Sequence, residues 1–295
     1  MRTYKEVLED GIQLLETAAI EEARLDAWLL LEYTADITRA WYYAHMDDGL
    51  DAKTEERYRT LCTKRAQHIP LQHITGRAYF MGYEFCVDER VLVPRQDTEV
   101  LVEEALEMMK QETFRSKDCL QLLDMCTGSG CILLSVMHYA EQKGIFIEGT
   151  GVDFSEQVLM VAQKNEKHLR STKKDENGKV NWILSDLFEN VSETYDMILS
   201  NPPYIRTAEI EKLQDEVKLH DPFSALDGKE DGLYFYRKIV TDAKQFLKTG
   251  GILAFEIGYD QGKEVSDLMK KAGYDKVFVK KDLAGLDRIV CGVYY

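Results

Sequence analysis

The sequence predicts an α/β fold: a doubly wound, mostly parallel sheet with an antiparallel closing strand, preceded by a small helical bundle and a β-hairpin. Three observations predict it. Apolar residues recur at helical spacing through residues 1–75. The period drops towards two across residues 78–87, around Gly82. From about residue 94, short apolar runs alternate with amphipathic stretches, the pattern of a sheet with helices on both faces.

In the first stretch, Tyr4, Val7, Leu8, Ile12 and Leu15 fall on one helical face. Leu25, Trp28, Leu29 and Leu31 continue a second stripe, and Trp41-Tyr42-Tyr43 marks a third short segment. Asp51 to Gln67 reads as a charged helix with Tyr58, Leu61 and Cys62 facing inward. His45, His68 and His73 stand alone and form no chemical constellation, so residues 1–75 read as a module for docking a protein. Residues 76–93 are the hairpin linker, with strands over Ala78–Met81 and Tyr83–Val87.

Residues 94–295 are the second domain. Asp97 is placed as a helix cap ahead of Val100, Leu101, Ala105, Leu106 and Met109. Leu120–Asp124 is a buried strand, followed by a turn and an apolar helix over Cys131–Ala140. Ile145–Asp153 is a second strand, and Val158, Ala162 and Leu169 mark the helix behind it. Ser171–Gly178 reads as a polar loop, Val180–Leu184 as a third strand and Tyr195–Ser200 as a fourth. A helix over Gly232–Leu247, a fifth strand over Gly251–Ile257 and a closing pair at Val277–Val279 and Ile289–Val293 complete the chain.

Net charge is −15, which repels a phosphate backbone at long range and counts against nucleic acid as the principal partner. Glu6, Glu9, Asp10 and Glu16 would be excluded from the apolar core of a signal peptide. No stretch is long and apolar enough to suggest a membrane span. Six cysteines show no CxxC pair and no zinc spacing, so reduced thiols in a cytoplasm are expected, with no metal site.

The chemistry gathers at the carboxyl ends of the strands, where open sheets of this kind bind ligands. The first strand runs into Cys126-Thr127-Gly128-Ser129-Gly130, a turn whose glycines allow close approach to a ligand. The second ends in Asp153, 25 residues after Gly128, where a carboxylate can accept both hydroxyls of a ribose. The third ends at Asp186-Leu187, an acid for an adenine amino group beside an apolar side chain for its ring. Each acid alone reads as a helix cap or surface charge. Their recurrence at successive strand ends favours an adenosine ligand. The third glycine of a dinucleotide site is missing, because Leu133 stands three positions after Gly130.

The fourth strand ends in Asn201-Pro202-Pro203-Tyr204. Two prolines cannot continue a central strand, and the residue before a proline is held extended. The Asn201 side chain and the Pro202 carbonyl then offer two acceptors side by side, which is what a planar –NH2 group needs. Tyr204 is expected to cover that group with a flat face. The bland alternative is a Pro-Pro loop started by a turn-forming Asn.

Together these residues resemble the class I S-adenosylmethionine-dependent methyltransferases, with their Rossmann-like sheet. Within them, the chain resembles the protein-(glutamine-N) methyltransferases that modify peptide chain release factors. The resemblance is carried by Pro70–Gly76, Val93–Glu99, Asp124–Gly130, Ser200–Ile205, Phe255–Gly258 and Asp282–Arg288. It implies S-adenosylmethionine as cofactor, S-adenosylhomocysteine as product and the glutamine of a Gly-Gly-Gln loop in bacterial release factors as target. Asn201, Pro202 and Tyr204 would be catalytic, with Pro203 beside them in the substrate site. Cys126 to Gly130, Asp153, Asp186, Leu187 and Asn201 would hold the cofactor. A basic partner suits an acidic chain, and a monomer is expected. Cys126 departs from the pattern, since the family commonly has glycine there.

Asn-Pro-Pro-Tyr is shared with adenine methyltransferases acting on nucleic acid, so that activity is the alternative, as is a ribosomal-protein glutamine methyltransferase. A non-catalytic adaptor would not need all of these residues. Arg95, Thr98, Glu99 and Glu256 either line the pocket or form an ion pair and a cap, and they stand outside the catalytic set.

Overall fold

The computed structural model describes residues 1–171 and 178–295. The stretch 172–177, where the sequence suggests a polar loop carrying Lys173 and Lys174, lies outside the described residues. The chain divides into two compact units, Met1–Arg77 with Leu213–His220, and Ala78–Lys212 with Asp221–Tyr295.

The first unit is helical. It holds α1 (Tyr4–Thr17), α2 (Ala23–Ala35), α3 (Arg39–His45), α4 (Ala52–Arg65) and the short α5 (Leu71–Thr75). Thr3 and Glu6 form a reciprocal capping box that fixes where α1 starts. Trp28, Leu31, Tyr42, Tyr58 and Cys62 pack into one core, whereas Leu25 and Tyr43 lie on the surface, so the second and third apolar stripes are narrower than their sequences suggest. Arg65 is buried and bonds Asp26 at 2.6 Å and Glu216 at 2.8 Å, which pins the distant segment Leu213–His220 to this unit. Asp26 is buried and Glu216 only half-buried, so losing the Asp26 bond costs more than losing the Glu216 one, and either loss leaves the other carboxylate to answer the Arg65 charge.

The second unit opens with a two-stranded sheet of β1 (Arg77–Phe80) and β2 (Tyr83–Cys86). Helices α6 (Glu99–Met108) and α7 (Glu112–Arg115) lead to β3 (Leu120–Met125), followed by α8 (Cys131–Glu141), β4 (Ile147–Asp153) and α9 (Glu156–Ser171). Next come β5 (Val180–Leu184) and β6 (Tyr195–Ser200). Short helices α10 (Thr207–Ile210) and α12 (Phe223–Leu226), separated in sequence by α11 (Asp215–His220) of the first unit, precede α13 (Tyr234–Asp242). β7 (Leu247–Glu256), α14 (Gly262–Lys271), β8 (Asp275–Lys281) and β9 (Asp287–Tyr294) end the chain.

The strand order is β5-β4-β3-β6-β7-β9-β8. β9 runs antiparallel to both neighbours, and the pairs from β5 to β7 are all parallel. Alternation along each strand divides the apolar residues between two faces. Leu122 and Ile252 join the core under α6 and α8, while Leu123 and Leu253 join the core under α13 and α14. The result is a class I methyltransferase-type sheet with helices on both sides.

Two local expectations are corrected. The helix expected over Gly232–Leu247 stops at Asp242, and Leu247 already belongs to β7. Gly250 adopts a φ of +79°, and the β6–β7 register shifts alongside, so the Gly-Gly pair makes a bulge inside the strand rather than a break before it. Asp97 does not cap α6. It lies within a 3-10 turn over Gln96–Thr98 and pairs with Arg288 at 3.1 Å. Among the described residues, no helix is long and apolar enough to cross a membrane.

Candidate active site

Parallel register sets the site in one row. Met125, Val152, Ser200 and Phe255 are aligned across β4-β3-β6-β7. The next residue on each strand is Asp153, Cys126, Asn201 or Glu256, so these four leave the carboxyl edge of the sheet side by side. They stand on both sides of β3, where the winding direction reverses and a crevice opens. A cavity of about 700 Å³ lies there, lined by residues that include Cys126, Gly128, Asp153, Leu187 and Asn201. That is the volume of an ordinary small-molecule site.

The glycine turn is held from below. Thr127 donates its hydroxyl to Asp124 at 2.6 Å, and Asn165, fully buried on α9, donates to the Ser129 carbonyl at 2.9 Å. The Asn165 carboxamide also exchanges two hydrogen bonds with the backbone of Cys86, tying the hairpin to the turn. Gly128 has a φ of +56° and open space where a Cβ would stand. At Gly130, φ is +78° and a Cβ would meet Trp182 at 2.9 Å. Cys126 itself sits at φ +62°, a left-handed conformation that disfavours any side chain. Cys126 therefore carries its side chain at the cost of local backbone strain.

Asp153 is buried and accepts from the Gly128 N–H at 3.1 Å and the Ser155 N–H at 3.2 Å, one on each oxygen. Burial raises its pKa above the usual carboxylate value, and these backbone bonds oppose the rise. A carboxylate has about four acceptor positions, so part of its accepting capacity remains for a diol beside the backbone N–H groups that brace it. Asp186 is exposed and Leu187 buried, and both line the same cavity. An open glycine cradle, a braced acid with spare lone pairs and an apolar wall together fit an adenosine cofactor.

Asn201 lines the cavity and donates from Nδ2 to the Thr98 hydroxyl at 3.3 Å, which leaves Oδ1 as the free acceptor. Pro203 also lines the cavity, and both prolines are buried. Tyr204 is placed otherwise than its sequence suggests. Its ring packs into the core under α13, and its hydroxyl donates to Glu256 Oε1 at 3.4 Å, because the chain turns back after the prolines. The Tyr204 carbonyl then accepts from Gln261 at 3.0 Å. Neither Tyr204 nor Pro202 is among the described residues lining the cavity, and the Tyr204 hydrogen bonds tie the loop to Glu256 and Gln261.

Sequence reasoning kept Thr98 and Glu256 out of the catalytic set, as pocket-lining or capping residues, and did not single out Asn165. In the structure Thr98 lines the cavity and bonds Asn201, Glu256 accepts from Tyr204, and Asn165 braces the Ser129 carbonyl. Arg95 pairs with Asp221 at 2.7 Å and lines the cavity, while Glu99 accepts from the Met81 N–H at 2.6 Å and anchors the hairpin turn. Among the described residues, no group of three or more His, Cys, Asp or Glu is placed to hold a metal ion.

Comparison with known proteins agrees with this geometry. Residues 6–76 match the family model of the PrmC N-terminal domain, and residues 104–218 that of the Methyltransferase small domain. A release factor glutamine methyltransferase from Clostridium acetobutylicum is 35% identical, over 98% of each chain. One from Geobacter sulfurreducens is 36% identical, over 98% of this chain and 96% of its own. The catalytic domain of hMettl16, solved in complex with the MAT2A 3'UTR hairpin 1, shares the fold at a TM-score of 0.50 and 16% identity, covering 90% of this chain and 91% of that one. With more than a third of its residues shared along nearly its whole length with such relatives, the chain belongs to the release factor glutamine methyltransferase family.

Proposed function

We propose that the chain methylates the side-chain nitrogen of the glutamine in a Gly-Gly-Gln loop of bacterial peptide chain release factors, leaving S-adenosylhomocysteine as product. The observation that carries the reading is the Asn201 carboxamide at the cavity wall, its nitrogen tied to Thr98 and its oxygen left to accept.

When bound, S-adenosylmethionine supplies a methyl group on a positive sulfonium, an electrophile strong enough for a weakly nucleophilic amide. Asn201 Oδ1 and the Pro202 carbonyl accept the two hydrogens of the target –NH2 and hold its nitrogen in one orientation. Such alignment contributes several kcal/mol, up to about 7–11 in the best intramolecular cases. As positive charge develops on that nitrogen, the same two oxygens bind it more tightly than the neutral amide, so they favour the transition state. No residue needs to remove a proton before bond formation. The nitrogen takes the methyl as the carbon–sulfur bond breaks, and the proton then in excess on the methylated nitrogen passes to solvent. Asp153 holds the ribose and Asp186 with Leu187 the adenine, while Cys126 to Gly130 let the backbone come close. Residues 1–75 serve as the docking module for the protein substrate, and the acidic surface favours a basic partner.

The test is incubation with labelled S-adenosylmethionine and a purified release factor, ribosomal protein or DNA, the label then being located by mass spectrometry. Label on the Gly-Gly-Gln glutamine is expected. Label only on a ribosomal protein or on adenine would overturn the target assignment.

A further inference from the structure

Behind Asn201 lies a buried polar chain that the reaction as described does not use. The Asn201 Nδ2 donates to Thr98 Oγ1 at 3.3 Å, and the Thr98 hydroxyl lies near enough to the Glu256 carboxylate to oppose the rise in its pKa, while Glu256 Oε2 has no hydrogen-bond partner among the described residues. Thr98 and Glu256 are 3% and 2% exposed, so solvent does not reach the hydroxyl or the carboxylate. A threonine hydroxyl has one proton. If its oxygen accepts from Asn201, its hydrogen is left to turn towards the unpartnered Glu256 Oε2, and an acceptor at the far end sets the direction of the whole chain. Tyr204 donates to the same carboxylate, at Oε1.

Direction matters because an amide has two faces of opposite character. With nitrogen towards Thr98, Asn201 offers an acceptor to the cavity. Turned over, it would offer –NH2 to a substrate –NH2, donor against donor. We propose that Thr98 and Glu256 are positioning residues that fix the acceptor face of Asn201 towards the cavity, and so restrict the site to substrates bearing a hydrogen-donating –NH2. This rests on the reading of Asn201 as an acceptor.

The surroundings of Glu256 give the relay a pH dependence. Asp97 and Thr98 face it from the turn before α6, Tyr204 from the loop after β6, Cys131 from α8 and Arg288 from β9. Tyr236 on α13 donates to its backbone carbonyl at 3.0 Å. Arg288 is shared with Asp97 and Asp282, so its charge is largely answered elsewhere. Burial pushes the Glu256 carboxyl up to about 7, against the Thr98 hydroxyl and the Arg288 charge. A proton there makes Glu256 a donor to Thr98, lets the threonine hydroxyl turn towards Asn201 and permits the flipped amide.

The test uses Thr98→Val, Thr98→Ser and Glu256→Gln in the full chain, with a purified release factor as substrate. Thr98→Val keeps the shape and should lower kcat about 10²-fold, the scale of a misplaced reacting group, with KM and the calorimetric Kd for S-adenosylmethionine near parent values. Thr98→Ser should restore kcat. The parent kcat should fall on the acid side of pH about 7, and Glu256→Gln, which can still accept but has no proton to gain, should lose that fall. A parent-like kcat in Thr98→Val, or an unchanged acid limb in Glu256→Gln, overturns the inference. The Thr98 pair decides the question if Glu256→Gln fails to fold. Asn201→Ala run alongside separates the two levels, since an active alanine variant sinks the acceptor reading itself, whereas an inactive one beside an active Thr98→Val sinks only the relay.

Discussion

The carboxylate of Asp153 accepts the backbone N–H of Gly128 at 3.1 Å, so the acid ending β4 braces the glycine turn that follows β3. The acid and the glycine turn proposed to hold adenosine are therefore not independent. Asp153 is aimed by the turn it supports, and the turn is held open by the acid.

Asp153→Ala should weaken S-adenosylmethionine binding about 10- to 100-fold, the worth of hydrogen bonds to a charged group. Calorimetry without any protein substrate reads this directly. Asp186→Ala should cost much less, because Asp186 is exposed and water competes for its bonds. Equal losses at the two positions would contradict the assignment of the ribose to Asp153.

Asn201→Ala should behave in the opposite way. Its carboxamide bonds Thr98 and faces the cavity. Removing it deletes one of two acceptors and should lower turnover about 10²- to 10³-fold, as loss of a preorganised transition-state partner does. Affinity for S-adenosylmethionine should stay close to the parent. An alanine variant with near-normal turnover would show that the two-acceptor account is wrong.

The central sheet was legible because its inner strands are short apolar runs, and two of the polar residues at their carboxyl ends, Asp153 and Asn201, line the cavity. What was hidden depends on contacts between remote positions. Thr98 and Asn201 are 103 positions apart, and nothing in either segment announces the other. Arg65 and Glu216 are 151 apart, and their bond draws α11 to the helical bundle although its sequence lies within the second domain. Tyr204 was misplaced for a different reason. The prolines fix where the backbone leaves the sheet, but the direction of the next ring is chosen by Glu256 and by the core under α13. The short helices α10 and α12 have four residues each, too few for a period to show.

Asp124 is fully buried, accepts from the Thr127 hydroxyl through Oδ2, and among the described residues has no hydrogen-bond partner on Oδ1. Burial pushes its carboxyl up to about 7, the Thr127 bond opposing. A carboxyl raised in the folded chain gives stability that is complete below the unfolded value, near 3.8, and is lost as pH rises through about 7. Asp124→Asn cannot ionise, so its stability should not fall across that window. At pH 8 it should exceed the parent by about 1–3 kcal/mol. Urea unfolding of both proteins at several pH values measures the difference, and parallel pH curves would refute the charge assignment.

Cys126 offers a test of how the cofactor turn bears a side chain. Its φ of +62° costs a non-glycine residue about 1–2 kcal/mol. Glycine would remove that strain but give the unfolded chain more freedom, worth about 0.5–1 kcal/mol. It would also lose the contact that the thiol side chain makes with the core under α13. These effects nearly cancel, so Cys126→Gly should stay within about 1 kcal/mol of the parent and keep its affinity for S-adenosylmethionine. Valine adds a branch at Cβ, the worst choice in this conformation, and Cys126→Val should lose about 1–3 kcal/mol. Urea midpoints at constant slope separate the two. A valine variant as stable as the glycine one would mean that the turn relaxes out of the left-handed region, and cofactor affinity should then shift with it.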